Sequence, residues 1–214
     1  MDRIAEIKRV TKETEIFLKL NLDGKGESAI NFPVGFMRHM MESFAKHGLF
    51  NIEIKAKGDL DVDQHHIVED LGIVLGSAFE RALGDKSGIK RAASCLYPMD
   101  ETLARAAVDL CGRPFLVLEA PGLDGHPFVS AEPDGKTASF QPDTIYDFWQ
   151  GFASSCSCAL HLDVLRGRSR HHKIEALFKA AAIALKEACE INPRAPSAVP
   201  STKGSLAESG IMIC

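Results

Sequence analysis

The apolar and polar positions of this 214-residue chain form a pattern that occurs twice. Residues 12–24, KETEIFLKLNLDG, alternate apolar with polar side chains up to a glycine, and residues 100–112, DETLARAAVDLCG, repeat this arrangement at equal length. Alternation at a period of two residues is typical of a strand with one buried face, and glycine favours the turn that follows it. The pattern therefore indicates an internal duplication.

The later segments of the two halves correspond in the same order. After its first strand, each half contains a second strand-like run, a helical segment, a third strand and an amphipathic helix, which predicts the order β-β-α-β-α twice. In the first half the helices are predicted at 36–48 and from about 65 to 83, with the third strand at 51–58; in the second half the helices are predicted at 144–157 and from about 171 to 189, with the third strand at 159–167.

The duplication divides the chain into three parts. We expect a first half-repeat at 1–92, a second half-repeat at 93–204 and a C-terminal tail at 205–214. The second half contains an insertion rich in Gly, Pro and Asp at about 121–137, and this composition predicts a long loop. A chain of this length is ample for a buried core.

Charged residues of both signs are mixed along the chain and give a formal net charge of −4. This balance provides no basic face for nucleic acid. No apolar run approaches the ~20 residues that a membrane-spanning helix requires, and the charged N-terminus is typical of neither a signal peptide nor a transit peptide. We therefore expect a cytoplasmic protein that partners neither nucleic acid nor membrane, with its scattered cysteines reduced.

The strongest candidate chemistry is the motif His-His-x-x-Glu, which occurs at 65–69 and again at 171–175. Each copy opens a predicted helix, where residues three and four apart share a face, so that the glutamate lies beside an imidazole. Two adjacent histidines point in different directions from a helix, so each copy offers ligands on two sides. One copy alone is more simply explained as an exposed polar helix start, whereas two copies with the same spacing favour a metal site.

Several segments together are similar to those of one known family. These are HHIVEDLGI at 65–73, PMDETLA at 98–104, CGRPF at 111–115, HHKIEALFKA at 171–180 and PSTKG at 200–204. In this order and with these gaps they resemble the imidazoleglycerol-phosphate dehydratase family of histidine biosynthesis. The resemblance runs from about Arg9 to Gly204, which is nearly the whole chain.

The resemblance implies a fold, an assembly and a reaction. The family fold has two similar α/β halves, each a four-stranded sheet with helices packed on one face, so the expected fold class is α+β with an internal duplication. It also implies a 24-subunit homo-oligomer built from trimers, with active sites between subunits that each hold two Mn²⁺ ions, other divalent metals being possible. The implied activity is that of a hydro-lyase, which converts imidazole glycerol phosphate to imidazole acetol phosphate with metals acting as Lewis acids and orienting the substrate.

The residues that match the family's functional positions fall into three groups. The resemblance implies metal ligation by His39, His65, His66, Glu69, His171, His172 and Glu175, with Asp147 at a further ligand position. It implies catalytic roles for Glu13 and Glu175, with Glu13 as the acid/base that contacts the substrate. It implies phosphate binding by Arg91, Arg113, Lys179, Ser201, Thr202 and Lys203, and makes His47 a weaker candidate for the substrate pocket.

Three positions depart from the family pattern. Asp147 stands where much of the family has a ligand histidine, Arg38 stands beside the ligand histidine where the family has Asp or Asn, and Ser169 replaces Asn or Asp before the second motif. A cation close to a metal pair is unfavourable unless it points away or pairs with an acid. Two alternatives therefore accompany the dehydratase hypothesis: a divergent paralogue acting on another phosphorylated or imidazole-bearing substrate, and a non-catalytic scaffold stabilised by metal.

Overall fold

The first half of the chain forms a four-stranded mixed sheet with two helices. A computed structural model describes residues 3–123, 127–131, 137–202 and 206. The strand order in this sheet is β1-β2-β4-β3, and β3 lies parallel to β4 whereas the other neighbours are antiparallel. The elements are β1 (Ile4–Val10), β2 (Thr14–Asn21), β3 (Ser28–Asn31), α1 (Gly35–Gly48), β4 (Asn51–Gly58) and α2 (His65–Leu83).

The second half repeats this arrangement and adds a hairpin. Its sheet has the order β5-β6-β10-β7, with β7 parallel to β10, and β8 pairs with β9 in a separate two-stranded sheet. The elements are β5 (Ala92–Met99), β6 (Thr102–Asp109), β7 (Phe115–Glu119), β8 (Phe128–Ala131), β9 (Thr137–Phe140), α3 (Thr144–Ser155), β10 (Ala159–Arg166) and α4 (Arg170–Cys189).

The helices of the two halves pack against each other on the inner faces of the sheets. Helix α2 covers β1, β2 and β4 and contacts α3 of the second half, while α4 covers β5, β6 and β10 and contacts α1 of the first half. The inward residues of β2, Ile16, Leu18 and Leu20, are fully buried, as alternation predicts. The halves therefore share one hydrophobic core, and each motif helix lies beside a helix from the other half.

Two glycines bring α2 close to α3. A Cβ atom placed on Gly72 would lie 2.0 Å from the carbonyl oxygen of Phe148, and one on Gly76 would lie 2.4 Å from that of Phe152. No side chain fits at such distances, so the close helix contact depends on both glycines. This contact places the start of α3, with Asp147, beside the start of α2, with His65.

The sequence pattern located most elements but missed β1 in the first half and β5, β8 and β9 in the second. The four-stranded sheets expected from the resemblance are confirmed, and they include β1 and β5, which the pattern of apolar positions did not identify. Strand β5 has small residues, a proline and only partly buried positions, so its alternation is weak. The prediction of one long loop at 121–137 was wrong, because strand β8 lies within it; residues 124–126 and 132–136 lie outside the described part of the chain.

Candidate active site

The clearest candidate metal centre lies where α1 meets α4. The Nε2 atoms of His171 and His39 lie 3.1 Å and 3.5 Å from the same carboxylate oxygen, Oε2 of Glu175. One ligand atom from each of the three residues lies within 4.8 Å of the others. Two imidazoles and a carboxylate are a donor set that suits Mn²⁺, Fe²⁺ or Zn²⁺. We call His39, His171 and Glu175 the first cluster.

A lysine controls the charge of the first cluster. The side chain of Glu175 is only 8% exposed, and its second oxygen accepts a hydrogen bond from Lys179 Nζ at 2.9 Å. Burial acts to raise the pKa of Glu175, but the hydrogen bond and charge of Lys179, with smaller contributions from His39 and His171, lower this pKa overall. Glu175 is therefore held as a carboxylate, with one oxygen on the lysine and the other facing the histidines.

A second group of candidate ligands lies where α2 meets α3. Nδ1 of His65 lies 3.5 Å from Asp147 Oδ2, and its Nε2 lies 4.0 Å from Glu69 Oε2. The two carboxylates thus face different nitrogens of one ring, and the Glu69 side chain is 44% exposed. We call His65, Glu69 and Asp147 the second cluster; it contains the same motif positions as the first but is more open.

Each cluster combines residues from both halves of the duplication. His39 lies on α1 of the first half but joins the second motif, while Asp147 lies on α3 of the second half and joins the first motif. The spacing along the sequence, which relates His39 to its own half, gave no indication of this exchange. The exchange follows from the pairing of α1 with α4 and of α2 with α3.

The remaining histidine of each motif points away from its cluster. Its ring is nearly perpendicular to that of the preceding histidine, at 86° for His65 and His66 and at 88° for His171 and His172. His66 Nδ1 lies 3.0 Å from Asp59 Oδ2 and 4.0 Å from Glu13 Oε2. The predicted catalytic residue Glu13 is thus exposed at the β1–β2 turn, beside a predicted metal ligand.

His172 meets an acidic turn in the second half. Its Nδ1 lies 2.8 Å from Glu101 Oε2, and its Nε2 lies 3.9 Å from Asp100 Oδ2. Hydrogen bonds from the Ser169 backbone N–H and from His172 hold the pKa of Glu101 well below its usual range. Sequence reasoning assigned no role to Asp59, Asp100 or Glu101, although Glu101 stands at the turn position that matches Glu13.

The candidate phosphate ligands are spread over several elements. Arg91 donates from Nε and Nη2 to Asp109 at 2.7 Å and 3.0 Å, and from Nη1 to the Pro200 carbonyl at 2.7 Å. This contact anchors the chain immediately before Ser201 and Thr202. Arg113 is exposed between β6 and β7. The predicted ligand Lys203 lies outside the residues that the structure describes.

Lys179 and His47 both contact the ring of Tyr97. Lys179 Nζ is 5.5 Å from the centre of the Tyr97 ring, and the ring of His47 meets Tyr97 edge-on at 5.5 Å. Burial and the charge of Lys179 lower the pKa of His47. Lys179, predicted to bind phosphate, is therefore linked through Glu175 to the first cluster and through Tyr97 to His47.

The substituted position Ser169 retains a structural role. It is the N-cap of α4, and its hydroxyl accepts a hydrogen bond from the backbone N–H of His172 at 3.3 Å. Serine, asparagine and aspartate are all favoured at this position, so the substitution preserves the cap. Arg38 is half-buried on α1 beside His39.

Comparison with known proteins identifies the family. The family model for imidazoleglycerol-phosphate dehydratase matches residues 33–185, which include every residue of both clusters. The chain belongs to the imidazoleglycerol-phosphate dehydratase family. Like the enzymes whose name the family carries, it is a hydro-lyase, a dehydratase of histidine biosynthesis.

Other imidazoleglycerol-phosphate dehydratases match nearly the whole chain. The protein from Acinetobacter baylyi is 47% identical over 96% of both chains, and that from Citrifermentans bemidjiense is 48% identical over 96% of this chain and all of its own. The crystal structure from Staphylococcus aureus superposes with a TM-score of 0.73 at 33% identity, covering 88% of this chain and 99% of its own. The structure from Pyrococcus furiosus, in complex with (S)-C348, gives a TM-score of 0.74 at 28% identity and covers 93% and 99%.

Within the described residues, none of the helices combines the length and apolar character that a membrane span requires. The longest of the described helices, α4, carries charged residues along its length and is buried between the second sheet and α1.

Proposed function

We propose that this chain dehydrates imidazole glycerol phosphate to imidazole acetol phosphate, using two Mn²⁺ ions in each active site. The observation that carries the proposal is the convergence of His39, His171 and Glu175 from two helices of different halves. Lys179 neutralises one oxygen of Glu175, and the other oxygen faces the two imidazole nitrogens at 3.1 Å and 3.5 Å. Two imidazoles and a carboxylate that converge in this way form a donor set that suits a divalent metal ion.

The two clusters are proposed to hold the two metal ions. The first would use His39, His171 and Glu175, and the second would use His65, Glu69 and Asp147, with His66 and His172 completing the donor sets. When bound, the metals would supply Lewis-acid polarisation of the substrate imidazole and fix its orientation.

The chain's own residues are proposed to move the proton. Dehydration breaks one C–H bond and one C–O bond, releases water, and gives an enol that becomes the ketone after a proton shift. Glu13 is exposed on a turn, and its carboxylate lies 4.0 Å from Nδ1 of His66. This carboxylate is proposed to take the proton from carbon beside the proposed metal ligands. Glu175 is proposed to act with it by keeping the first cluster negatively charged, because Lys179 holds it ionised.

The substrate phosphate is proposed to bind to cationic and hydroxyl groups. Guanidinium groups grip phosphate through paired N–H donors, and lysine adds a point charge. Arg113 and Lys179 are proposed as direct ligands together with Ser201, Thr202 and Lys203. Arg91 already donates three hydrogen bonds to Asp109 and Pro200, and its remaining N–H donors are proposed to reach the phosphate. His47 is proposed to line the same pocket.

The assembly is proposed to be a cytoplasmic 24-subunit homo-oligomer built from trimers. In support, His66 and His172 point away from the clusters of their own chain, so an active site between subunits would give them further partners. Mass photometry at several protein concentrations would test this part of the proposal. A stable monomer at micromolar concentration in the presence of Mn²⁺ would contradict it.

A turnover assay with matched variants tests the activity. The metal-free protein would be titrated with Mn²⁺ under anaerobic conditions, and ketone formation from imidazole glycerol phosphate would be followed for wild type, Glu13→Gln and Glu15→Gln. Glu15 is an exposed glutamate two positions along, paired with Lys8, and serves as the control. We expect activity in wild type and Glu15→Gln and its loss in Glu13→Gln.

A divergent paralogue is the second candidate, and Asp147 favours it because this carboxylate replaces a ligand histidine of much of the family. Tight binding of Mn²⁺ without any ketone formation in wild type would contradict the dehydratase proposal and favour this alternative. Unchanged turnover in Glu13→Gln would instead contradict only the role given to Glu13.

A further inference from the structure

The outward histidine of each motif is oriented by a carboxylate, but the two halves supply that carboxylate from different places. Asp59, in the loop between β4 and α2, lies 3.0 Å from Nδ1 of His66. Glu101, in the turn between β5 and β6, lies 2.8 Å from Nδ1 of His172. The matching turn residue of the first half, Glu13, is 4.0 Å from His66 and 54% exposed.

Glu101 is fully engaged by the loop before α4. Its Oε1 accepts hydrogen bonds from the backbone N–H groups of Ser169 at 2.8 Å and Arg168 at 3.2 Å, and its Oε2 faces His172. This loop is short, because only residues 167–169 separate β10 from α4. The short loop places the backbone N–H groups of Arg168 and Ser169 against the β5–β6 turn. The Glu101 carboxylate is therefore fixed and cannot serve as a mobile acid or base.

The longer loop of the first half changes this arrangement. Residues 59–64 separate β4 from α2, and they carry Asp59 into the position next to His66. Asp59 is itself fixed, since its backbone N–H donates to the Glu13 carbonyl at 3.1 Å. The other oxygen of its carboxylate, Oδ1, is buried and has no hydrogen-bond partner among the described residues. Its position is therefore set by the fold rather than by solvent.

The β1–β2 turn is also anchored independently of Glu13. Asp70 on α2 accepts a hydrogen bond from Arg9 at 2.9 Å and another from the Thr14 hydroxyl. The backbone of the turn is thus held on both sides of Glu13, while the Glu13 carboxylate accepts no hydrogen bond from its own loop.

We propose that Asp59 and Glu101 are positioning residues that hold Nδ1–H of His66 and His172, so that Nε2 of each ring is the metal-binding atom. By taking over this role in the first half, Asp59 releases Glu13 for proton transfer, whereas Glu101 remains a positioning residue in the second half. The inference rests on the proposed function for the presence of metals. Outer carboxylates of this kind fix the tautomer and direction of a ligand histidine, and their loss typically weakens metal affinity by about 10–100-fold.

Metal affinity, rather than turnover, tests the proposal. Mn²⁺ binding to the metal-free protein would be measured by isothermal titration calorimetry and by the electron paramagnetic resonance signal of free Mn²⁺. The variants are Asp59→Asn and Glu101→Gln, with Glu13→Gln and Asp61→Asn as comparisons; Asp61 is an exposed aspartate of the same loop as Asp59. The thermal midpoint of each metal-free variant shows whether it folds, and Asp59→Ser would be used if Asp59→Asn does not.

We expect Asp59→Asn and Glu101→Gln to weaken Mn²⁺ binding by about ten-fold or more. Glu13→Gln and Asp61→Asn are expected to bind Mn²⁺ like wild type, although Glu13→Gln loses turnover. Wild-type affinity in folded Asp59 and Glu101 variants would overturn the proposal, as would a loss in Glu13→Gln equal to that in Asp59→Asn. The dehydratase proposal fails separately, if wild type binds Mn²⁺ but forms no ketone.

Discussion

The two candidate metal clusters are each built around one copy of the duplicated motif, yet one cluster is compact and the other is open. Glu175 is 8% exposed and faces both histidines of its cluster through one oxygen, whereas Glu69 is 44% exposed and lies 4.0 Å from its single histidine. The residue four positions after each glutamate explains much of this difference. After Glu175 this residue is Lys179, which donates a hydrogen bond to Oε1 of Glu175. After Glu69 it is Ile73, whose side chain cannot donate a hydrogen bond. The same helical spacing therefore gives different surroundings to the two glutamates. The residue one turn later on the same helix face determines whether the glutamate has a hydrogen-bond partner.

The largest expected effect comes from removing the buried carboxylate of the first cluster. Glu175→Gln should weaken Mn²⁺ binding at one site by more than about a hundred-fold, beyond the loss typical of outer residues, because a metal ligand and its charge are both lost. Glu69→Gln, its counterpart in the second cluster, should cause a smaller loss because Glu69 is exposed. Calorimetric titration of both variants measures the difference. Equal losses would mean that the clusters are equivalent after all.

Separating α3 from α2 should disturb the second cluster alone. In Gly72→Ala the new methyl group would lie 2.0 Å from the Phe148 carbonyl oxygen, so the helices must move apart. Overpacking of this kind typically costs about 1–3 kcal/mol in the free energy of unfolding. We also expect weaker metal binding where Asp147 meets His65. Chemical denaturation and metal titration measure both effects, with Ser77→Ala on the same helix as the control.

Replacing Asp147 with histidine should make the second cluster more like the first. Imidazole favours Zn²⁺ relative to Mn²⁺ more than a carboxylate does, so Asp147→His should shift the selectivity of one site towards Zn²⁺ by several-fold. Competition titrations with the two metals, on wild type and Asp147→His, measure this shift. An unchanged preference would indicate that Asp147 does not contact the metal.

The smallest expected effect concerns the pKa of His47, which is lowered in part by the charge of Lys179 beside the first cluster. Its pKa is lowered by burial and by Lys179, so the neutral ring is favoured in the folded state. A lowered histidine pKa contributes stability that is present above the ordinary value of 6.5 and is lost as the pH falls below it. In Lys179→Met the His47 pKa should rise towards its ordinary value. Histidine NMR titration measures this pKa, and an unchanged value would contradict the contribution of Lys179.

Much of the fold was predictable because period and composition agreed over long segments. The motif helices, the central strands of both sheets and the core faces follow directly from alternation and helical spacing. Strands β1 and β5 were missed because charged residues interrupt the apolar positions of β1, and small residues and a proline weaken the alternation of β5. The hairpin strands β8 and β9 were missed because the glycine and proline residues at 121–137 favoured a loop.

The candidate ligands were identifiable from sequence, but their grouping was not. His39 and Asp147 each join the motif of the other half, because α1 packs against α4 and α2 packs against α3. The spacing of residues along the sequence does not predict these contacts between helices. Asp59 and Glu101 were missed for a related reason: an aspartate in a loop and a glutamate in a turn are ordinary surface residues until the fold places them at Nδ1 of a histidine. Glu101 had one available signal, its match to Glu13 in the repeated turn.

The proposal that two metal ions support dehydration is tested most directly by the stoichiometry of Mn²⁺ in turnover. Metal-free protein would be titrated anaerobically with Mn²⁺, and both bound metal and ketone formation from imidazole glycerol phosphate would be recorded at each step. We expect that activity appears only with metal and saturates when about two ions are bound per subunit, one for each cluster. Full activity without divalent metal, or saturation of binding with no ketone formed, would contradict it.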